Sequence, residues 1–479
     1  MKPAVFADAV ITASKTSDGH SLASLFAIGG PVAASVLLEL GDPRSNRIIA
    51  SLRKCSGYLA SPWEEMCSHH LSALYSFSLA SSLAGYPAKS VDAEGKTRAE
   101  RLGDAFDSYN SGVTAFLRFF ATLTPGRWAI PLLRILCLNL RWLAVIADQA
   151  AIEVTPPAAQ NHLLPTTSSS NNSTSQAVAA AVAPTTLRTS SIANKKLEEC
   201  ARQLNKAFTA CIADRNPDLE QSRKWGIYEI VGLVFKTYFR LKSISLCRNI
   251  LRAISAAQLP DLGVFPKSQQ VTFKYYLGVL AFLNEEYDKA EVELGMALRM
   301  CHKDAEINQA LILTYLIPVK LLKGSLPCSD LQDSKMFRQN LSIYTPFIRA
   351  LKNGDVKSFD QALSSTQIES TLVKRGTYVA IERARDAVLR TLLKHIYLSL
   401  PNQQDGTRQT RLSLDLLHKA TSSTLVGGLD YSKQELEWVL ATLVYKGYVK
   451  GYIAHERGVL VLSAKDPFPH LGSVTIATI

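Results

Sequence analysis

Hydrophobic side chains recur every third or fourth residue along most of this chain. One example is the series Trp225, Tyr228, Val231, Phe235 and Tyr238, whose members are separated by 3, 3, 4 and 3 positions. This spacing places all five side chains on one face of an α-helix. Because the same pattern continues through much of the sequence, it predicts an all-α fold.

Another predicted helix carries small residues at packing positions. Ala290, Leu294 and Ala297 follow the A-x-x-x-L-x-x-A spacing of tetratricopeptide-type helix pairs, in which small side chains let neighbouring helices approach closely. No clean repeat of about 34 residues is present, so we predict a degenerate repeat of TPR-like antiparallel helix pairs. An ordinary helical domain without a groove predicts the same core. In the following helix, Pro318 is expected to kink or end the helix.

The pattern also divides the chain into segments. Residues 1–46 have weak periodicity and are predicted to be irregular, and residues 47–152 are predicted to form an N-terminal helical block. Ser, Thr, Pro, Asn and Ala dominate residues 153–192, a composition that predicts a disordered insertion. Helical periodicity resumes over residues 193–400, which are predicted to form the helical-repeat part of the chain.

The pattern changes again after residue 400. Residues 401–471 are predicted to form a winged helix, and residues 472–479 a tail. The first element of this module is a short helix to which Leu412, Leu416 and Leu417 are assigned.

The rest of the module has clear signals for its helix and its hairpin. Ser432 and Glu435 have the spacing of a capping box at a helix start, and Gly447 lies where a left-handed residue would end that helix. Two β-forming runs follow, Tyr448–Ile453 and Val459–Leu462, with a polar turn between them. Modules of this kind either read DNA with the second helix or make only protein contacts.

Composition limits the class of protein. The chain has 479 residues, a length typical of two or three compact units, and a formal net charge of +12 that favours an anionic partner. Its eight cysteines include no C-x-x-C pair, which indicates reduced intracellular thiols and no zinc site. The most apolar segment, Trp128–Ile146, contains Pro131, Arg134 and Arg141. It is therefore predicted to be a buried helix pair, and we expect no membrane insertion.

The sequence lacks the common motifs of enzymes. No metalloprotease H-E-x-x-H, P-loop, dinucleotide-binding or nucleophile-elbow motif is present. His69 and His70 are adjacent, so on a helix their side chains point about 100° apart and make a poor metal pair. We therefore predict a non-catalytic protein without catalytic residues, metal ligands or cofactors.

Positive charge is distributed unevenly. Residues 401–479 contain eight Lys or Arg against seven acids, whereas residues 194–260 contain twelve against six. A local basic group nevertheless lies at the end of the second winged-helix helix and in the wing: Lys446, Lys450, His455 and Arg457. This group could either contact phosphates or form an ordinary solvated surface, and the sequence leaves both interpretations open. Phosphate contacts from either region would be sequence-independent and sensitive to salt.

Several longer segments resemble one protein family. They are Ser222–Leu251 (SRKWGIYEIVGLVFKTYFRLKSISLCRNIL), Lys274–Gly278 (KYYLG), Tyr287–Leu294 (YDKAEVEL), Asn308–Leu322 (NQALILTYLIPVKLL) and Gly447–Pro469 (GYVKGYIAHERGVLVLSAKDPFP). They resemble the PCI-domain family that contains the Thp/Sac/Sem-type mRNA-export subunit and the signalosome subunit-twelve-like proteins. The resemblance covers about residues 47–471 apart from the insertion.

The resemblance implies a PCI scaffold subunit without an active site. Its expected partners are a larger PCI-type scaffold subunit, paired through winged-helix edges, and a small acidic Sem-type peptide. In the export branch, paired winged helices form a platform for RNA or DNA, and the complex couples transcription to mRNA export. In the other branch the protein is associated with the signalosome, hence with ubiquitin-like pathway control, or with RNA processing. The expected localisation is the nucleus, including the nuclear pore, and also the cytoplasm.

The same resemblance assigns roles to residues of the winged helix. Nucleic-acid contacts are expected from Lys446, Lys450, His455, Arg457 and Lys465. Partner contacts are expected from Tyr448, Tyr452, Leu460, Val461 and Leu462. Catalytic and metal-binding residues are not expected.

Overall fold

The computed structural model describes residues 1–39, 62–154, 194–401, 408–422 and 431–474. These residues form α-helices and a small antiparallel sheet near the C-terminus, which confirms the predicted helical repeat with a C-terminal winged helix. The chain divides into two compact units, Met1–Phe265 (unit 1) and Pro266–Ile479 (unit 2).

Unit 1 is built from helices. They are α1 (Pro3–Lys15), α2 (Gly19–Leu25), α3 (Pro31–Glu39), α4 (Trp63–Ser82), α5 (Arg98–Thr122), α6 (Ile130–Val154), α7 (Lys195–Ile212), α8 (Ile227–Arg240) and α9 (Ser245–Ala256). Helices α4 and α5 pack antiparallel, since Glu65 pairs with Arg118 and Ser72 approaches Ser108.

The N-terminal segment is more ordered than predicted. The prediction of an irregular segment was wrong over residues 3–39, which contain α1, α2 and α3. Phe6 and Phe26 are buried and pack against the His70 ring of α4, with centroid separations of 5.8 and 5.2 Å. Helices as short as α2 and α3 show too few turns for their periodicity to be visible in the sequence. Residues 40–61, where the predicted helical block begins, lie outside the described residues.

The most apolar segment forms the single continuous helix α6, so the predicted helix pair was wrong. Pro131 lies in its first turn, where the missing N–H is not needed by the helix. By length and composition, Arg127–Val154 is one candidate membrane span among the described residues. In unit 1, however, its Leu140 is fully buried, and Arg141 Nε donates to Thr237 Oγ1 of α8 at 3.2 Å. The helix therefore packs within unit 1.

The described residues of the segments 47–152 and 193–265 pack together in unit 1. Asp148 of α6 accepts hydrogen bonds from the backbone N–H groups of Lys196 and Leu197 at 3.0 and 2.9 Å, so it caps the start of α7. Helix α7 also packs on α5. The helices on both sides of the Ser/Thr-rich insertion thus share one core. The insertion itself falls almost wholly on residues 155–193, outside the described residues.

A buried ion pair adds a second connection between these parts of unit 1. Arg223 Nη2 donates to Asp214 Oδ1 at 3.0 Å, and Arg223 Nη1 donates to the Phe120 carbonyl at the end of α5 at 2.6 Å. Ser222 Oγ donates to the same carboxylate at 2.8 Å. The charge and hydrogen bonds of Arg223 and Ser222 lower the pKa of Asp214 to about 2 against the opposing effect of burial.

Unit 2 begins with helix pairs and ends in the winged helix. Its helices are α10 (Lys267–Leu283), α11 (Tyr287–Met300), α12 (Glu306–Leu322), α13 (Ser329–Asp333), α14 (Lys335–Asn340), α15 (Thr345–Asn353), α16 (Val356–Leu363), α17 (Thr366–Arg375), α18 (Tyr378–Ser399), α19 (Leu414–Ser422) and α20 (Lys433–Tyr445). Its strands are β1 (Arg411–Ser413), β2 (Gly451–Ala454) and β3 (Val459–Leu462).

Helices α10 and α11 form the antiparallel pair that the small-residue spacing predicts. The buried residues of α11 include Ala290, Leu294 and Ala297. At Gly278 of α10, an added Cβ would lie 2.5 Å from Leu294 Cγ, so only glycine allows this close approach. The Phe282 and Tyr287 rings meet at 5.8 Å, where the connection reverses the chain.

Pro318 does not end α12, so of the two predicted outcomes the helix end was wrong and the kink stays a prediction. A proline inside a helix cannot donate to the carbonyl four residues earlier, here that of Thr314. The buried Tyr344 hydroxyl donates to that carbonyl at 2.8 Å. The Tyr344 hydroxyl thus replaces the backbone N–H that Pro318 lacks, and helix α12 continues to Leu322.

The winged helix has the chain order β1, α19, α20, β2, β3 and the sheet order β1-β3-β2. The predicted capping box is present, since the Ser432 N–H donates to Glu435 Oε2 at 2.7 Å and the Glu435 N–H donates to Ser432 Oγ at 3.3 Å. Gly447 has φ +79°, as predicted for the end of α20. Leu412 was assigned to a helix, but it lies in β1, whose pairing with β3 depends on residues distant in sequence.

Candidate interface of the winged helix

The winged helix is attached to the rest of unit 2 through helix α18. Arg390 is buried, and its Nη2 donates to the Phe468 and Pro469 carbonyls at 2.9 and 2.7 Å. Burial lowers the pKa of Arg390. Arg385 donates to both Asp360 oxygens at 2.7 Å and to Tyr431 Oη at 2.6 Å, just before α20. Helix α18 therefore fixes α20 and the segment after β3.

Three of the five predicted nucleic-acid-binding residues form ion pairs inside unit 2. Lys446 Nζ lies 2.6 Å from Asp386 Oδ2 of α18. Lys450 Nζ lies 3.0 Å from Asp466 Oδ2. Each pair reduces the positive charge that the lysine presents to a phosphate.

The third pair fixes the wing against α20. His455 Nδ1 lies 2.6 Å from Glu437 Oε1 of α20, and the hydrogen bond and negative charge of Glu437 raise the pKa of His455. The His455 side chain itself is 83% exposed. The Glu437 carboxylate therefore favours the protonated, positively charged form of a ring that solvent can reach.

The other two predicted residues are exposed, and no ion pair is recorded for them among the described residues: Arg457 at the wing tip and Lys465 after β3. Seven residues separate them in the chain, and the four of these that form β3 give a rise of roughly 13 Å. The five residues therefore do not form one cluster. Lys450 and Lys465 lie at the base of the wing, His455 and Arg457 at its tip, and Lys446 at the end of α20. Their role in nucleic-acid binding stays a prediction.

The predicted partner-binding residues are divided between the core and the surface. Leu460, Leu462 and Tyr448 are 2, 4 and 5% exposed, so the prediction that they contact a partner was wrong. Successive strand residues face opposite sides of a sheet, and three consecutive residues of β3 cannot all face outward. Tyr452 is 63% exposed and pairs with Val461, which places both residues on the outward face.

Two exposed aromatic residues of α20 were not predicted from the sequence. Trp438 is 71% exposed and Tyr445 is 91% exposed. They are seven residues apart, which is close to two helical turns, and the exposed Ala441 lies between them. We call Trp438, Ala441 and Tyr445 the α20 aromatic face. Its signal in the sequence was that these residues fall outside the buried face of α20, which includes Leu436 and Leu440.

The described residues offer few side chains arranged for catalysis or metal binding. There, no group of three or more His, Cys, Asp or Glu side chains is placed to hold a metal ion. Burial raises the pKa of the Cys67, Cys200 and Cys211 thiols to about 12, so these cysteines are protonated and unreactive at neutral pH. They act as small apolar side chains of the core.

Comparison with known proteins shows the family. No family model matches the chain. It is 67% identical over 479 residues to Protein CSN12 homolog of Mycosarcoma maydis, covering 100% of both chains. It is 39% identical to Protein CSN12 homolog of Neurospora crassa, covering 77% of this chain and 78% of the relative. It is 27% identical to PCI domain-containing protein 2 of Xenopus laevis, covering 96% and 95%.

Full-length identity at this level, together with the helical repeat and its C-terminal winged helix, is decisive for the assignment. The chain therefore belongs to the PCI-domain family that contains the CSN12 homologues and PCI domain-containing protein 2.

Proposed function

We propose that this protein is a non-catalytic PCI scaffold subunit of a nuclear multi-subunit complex that couples transcription to mRNA export. In this role its winged helix docks on a larger PCI-type scaffold subunit and contributes to binding of RNA or DNA. A small acidic Sem-type peptide completes the assembly. The proposed location is the nucleus, including the nuclear pore, with a cytoplasmic fraction.

The observation that carries the proposal is the α20 aromatic face. Trp and Tyr are enriched among the residues that dominate binding energy at protein interfaces. Burying one such side chain removes 150–250 Å² from water, at about 25 cal/mol per Å². A free protein gains nothing from exposing Trp438 and Tyr445 on the same helix, whereas a partner that covers them gains several kcal/mol. Tyr452 and Val461 lie on the outward face of the sheet and offer a partner further apolar surface.

The nucleic-acid contribution rests on two of the five predicted residues, Arg457 and Lys465, which are exposed and form no ion pair with another described residue. Lys446 pairs with Asp386 of α18 and Lys450 pairs with Asp466 inside the winged helix, so reversing either charge would also break a contact within unit 2. A clean test therefore changes only the exposed pair.

Docking is tested by affinity purification of the tagged chain and of a Trp438→Ala, Tyr445→Ala variant, with identification of the chains that co-purify. We expect the wild type to recover a large PCI-type subunit and the double variant to lose most of it. Leu416→Ala in α19 is the matched control, because this side chain is 40% exposed and lies outside the α20 aromatic face. Equal recovery by the wild type and the double variant would refute docking through this face.

Nucleic-acid binding is tested on the purified complex with Arg457→Glu, Lys465→Glu. The control is Lys303→Glu, Lys335→Glu, which changes the net charge equally at exposed positions outside the winged helix. We expect the first variant to bind RNA or DNA more weakly and with a shallower salt dependence, and the control to bind like the wild type. Equal losses in both variants would indicate a general charge effect and contradict the assignment.

A second candidate function is a protein-only scaffold associated with the signalosome, hence with ubiquitin-like pathway control, or with RNA processing. Two observations favour it: the name CSN12 of the relatives and the intramolecular pairing of Lys446, Lys450 and His455. It predicts recovery of signalosome subunits and no measurable affinity for nucleic acid.

A further inference from the structure

A histidine is buried where the N-terminal helices pack on the rest of unit 1. His70 of α4 is 2% exposed, and its ring centroid lies 5.8 Å from that of Phe6 in α1 and 5.2 Å from that of Phe26, just after α2. The Tyr109 ring of α5 lies 6.1 Å away. The imidazole ring of His70 is therefore part of the contact that joins α1 and α2 to the helix pair α4 and α5.

The ring is polar, but its surroundings are mostly apolar. Neither Nδ1 nor Nε2 of His70 forms a hydrogen bond with the described residues. A cavity of about 10 Å³ adjoins the ring, and the other residues that line it include Phe26, Met66, Val113 and Leu136. A cavity of this size has room for about one water molecule. A protonated ring has two N–H donors, so the packed structure offers them too few acceptors.

Burial keeps the His70 ring neutral in the packed structure. It lowers the pKa of His70 from 6.5 to about 3, although the Leu25 carbonyl favours the protonated ring. On α4 itself, the negative charge of Glu65 acts on the neighbouring His69, and no carboxylate of the described chain acts on His70. The packed state thus lacks a negative charge that could stabilise an imidazolium.

The other titratable side chains of the surrounding core are uncharged at neutral pH. They are Cys67 of α4, Tyr109 of α5 and Cys137 of α6, and burial raises the pKa of each. From the N-terminal side, the contact with the ring is made by the apolar side chains Phe6 and Phe26. Among these contact residues, His70 is therefore the one whose charge can change between pH 5 and 8.

Neutral hydrogen bonds hold the same region together. Tyr109 Oη donates to the Phe26 carbonyl at 3.2 Å, and Asn139 Nδ2 of α6 donates to the same carbonyl at 3.4 Å. Val10 of α1 and Leu22 of α2 are fully buried, so apolar packing supplies the rest of the contact. These interactions do not change with pH near neutrality.

We propose that the contact of His70 with Phe6 and Phe26 is a pH-sensitive switch. Helices α1 and α2 stay packed on α4 and α5 while the His70 ring is neutral, and they separate from them when the ring is protonated. The reason is the cost of burying an unpaired cation, which is removed once water reaches the ring. The proposal depends on this contact alone and is independent of the proposed function.

The direction and size of the pH effect follow from the two protonation equilibria. In the separated state the ring is exposed and has its ordinary pKa of 6.5, whereas the packed state has a lower pKa. Between these values the separated state binds the additional proton, so a fall in pH below 6.5 favours separation. The equilibrium constant for separation should rise about tenfold per pH unit there, which gives about 30-fold between pH 7.5 and pH 5.

The test is amide hydrogen exchange of the full-length protein, measured by mass spectrometry between pH 7.5 and pH 5 and corrected for the intrinsic exchange rate at each pH. Peptides from α1 and α2 report separation, and peptides from α5 and α6 report the core of unit 1. His70→Phe and His70→Leu remove the titrating group and keep an apolar side chain. The matched control is His20→Gln, which removes an exposed imidazole from α2.

We expect the opening constant of α1 and α2 to rise about 30-fold in the wild type and in His20→Gln, while α5 and α6 stay protected. In His70→Phe and His70→Leu it should stay nearly constant. A constant value in the wild type, an equal rise in the His70 variants, or a parallel loss of protection in α5 and α6 would each overturn the proposal.

The wild type decides the question by itself if neither His70 variant folds. The logarithm of its opening constant for α1 and α2 should then fall with pH at a slope that corresponds to about one proton below pH 6.5. A slope near zero contradicts the proposal.

Discussion

The hydrogen bond from Tyr344 to the Thr314 carbonyl makes a quantitative prediction about helix α12. Tyr344→Phe removes the hydroxyl that replaces the donor missing at Pro318. The Thr314 carbonyl then lies partly buried without that partner, which costs about 1–3 kcal/mol in the free energy of unfolding. For a unit of this size, 1 kcal/mol corresponds to roughly 2–4 °C in the unfolding temperature.

A double-mutant cycle isolates this interaction from other effects of the lost hydroxyl. In a Pro318→Ala background, the new N–H of residue 318 can donate to Thr314, so Tyr344→Phe should cost less than half as much. Calorimetry and urea unfolding of the four proteins give the coupling free energy. The control is Tyr445→Phe, whose ring is 91% exposed and whose substitution should be nearly neutral. Equal costs of Tyr344→Phe in the two backgrounds would refute the reasoning.

Three further predictions follow from contacts in the two units. Asp214→Asn leaves Arg223 buried without its charged partner and should destabilise unit 1 by about 3–5 kcal/mol in chemical unfolding. In the wild type the pKa of Asp214 is lowered, so the ion pair should contribute its full stabilisation above pH 3.8, the ordinary pKa of Asp. This contribution should disappear as the pH falls towards 2. Replacing residues 156–192 with about eight Gly and Ser residues should preserve the fold and raise its stability by about 1 kcal/mol, since loop closure becomes easier; a large loss of helicity would contradict this. Glu437→Gln should bring the pKa of His455 down towards 6.5 in an NMR titration, because it removes the negative charge that favours the protonated ring. In the wild type, the stabilisation from this ion pair is complete below about pH 6.5 and is lost as the pH rises through the raised pKa. An unchanged pKa in the variant would exclude the pair.

Elements with strong local signals were predictable from the sequence. The capping box at Ser432 and the left-handed Gly447 depend on residues within one turn, so their patterns determine the local structure directly. The packing of Ala290 and Leu294 followed from helical spacing. Elements that depend on distant partners were not predictable. Strand β1 forms only because β3 pairs with it, and α12 passes Pro318 because Tyr344 supplies a donor from another element.

The candidate interface shows the same division. The sequence identifies cations but not the carboxylates that pair with them, and Lys446 meets Asp386 sixty positions away. Alternation along β3 would have separated Leu460 and Leu462 from Val461, had it been applied residue by residue. The exposure of Trp438 could partly have been predicted from the sequence, because this residue lies off the buried face of its own helix.

We propose above all that the chain is a scaffold subunit of an mRNA-export complex. It is tested most directly by affinity purification from nuclear extract, with identification of the co-purifying chains. The account predicts recovery of a large PCI-type export scaffold together with a small acidic peptide, and loss of the large subunit when Trp438 and Tyr445 are replaced by alanine. Recovery of signalosome subunits in place of an export scaffold would contradict it.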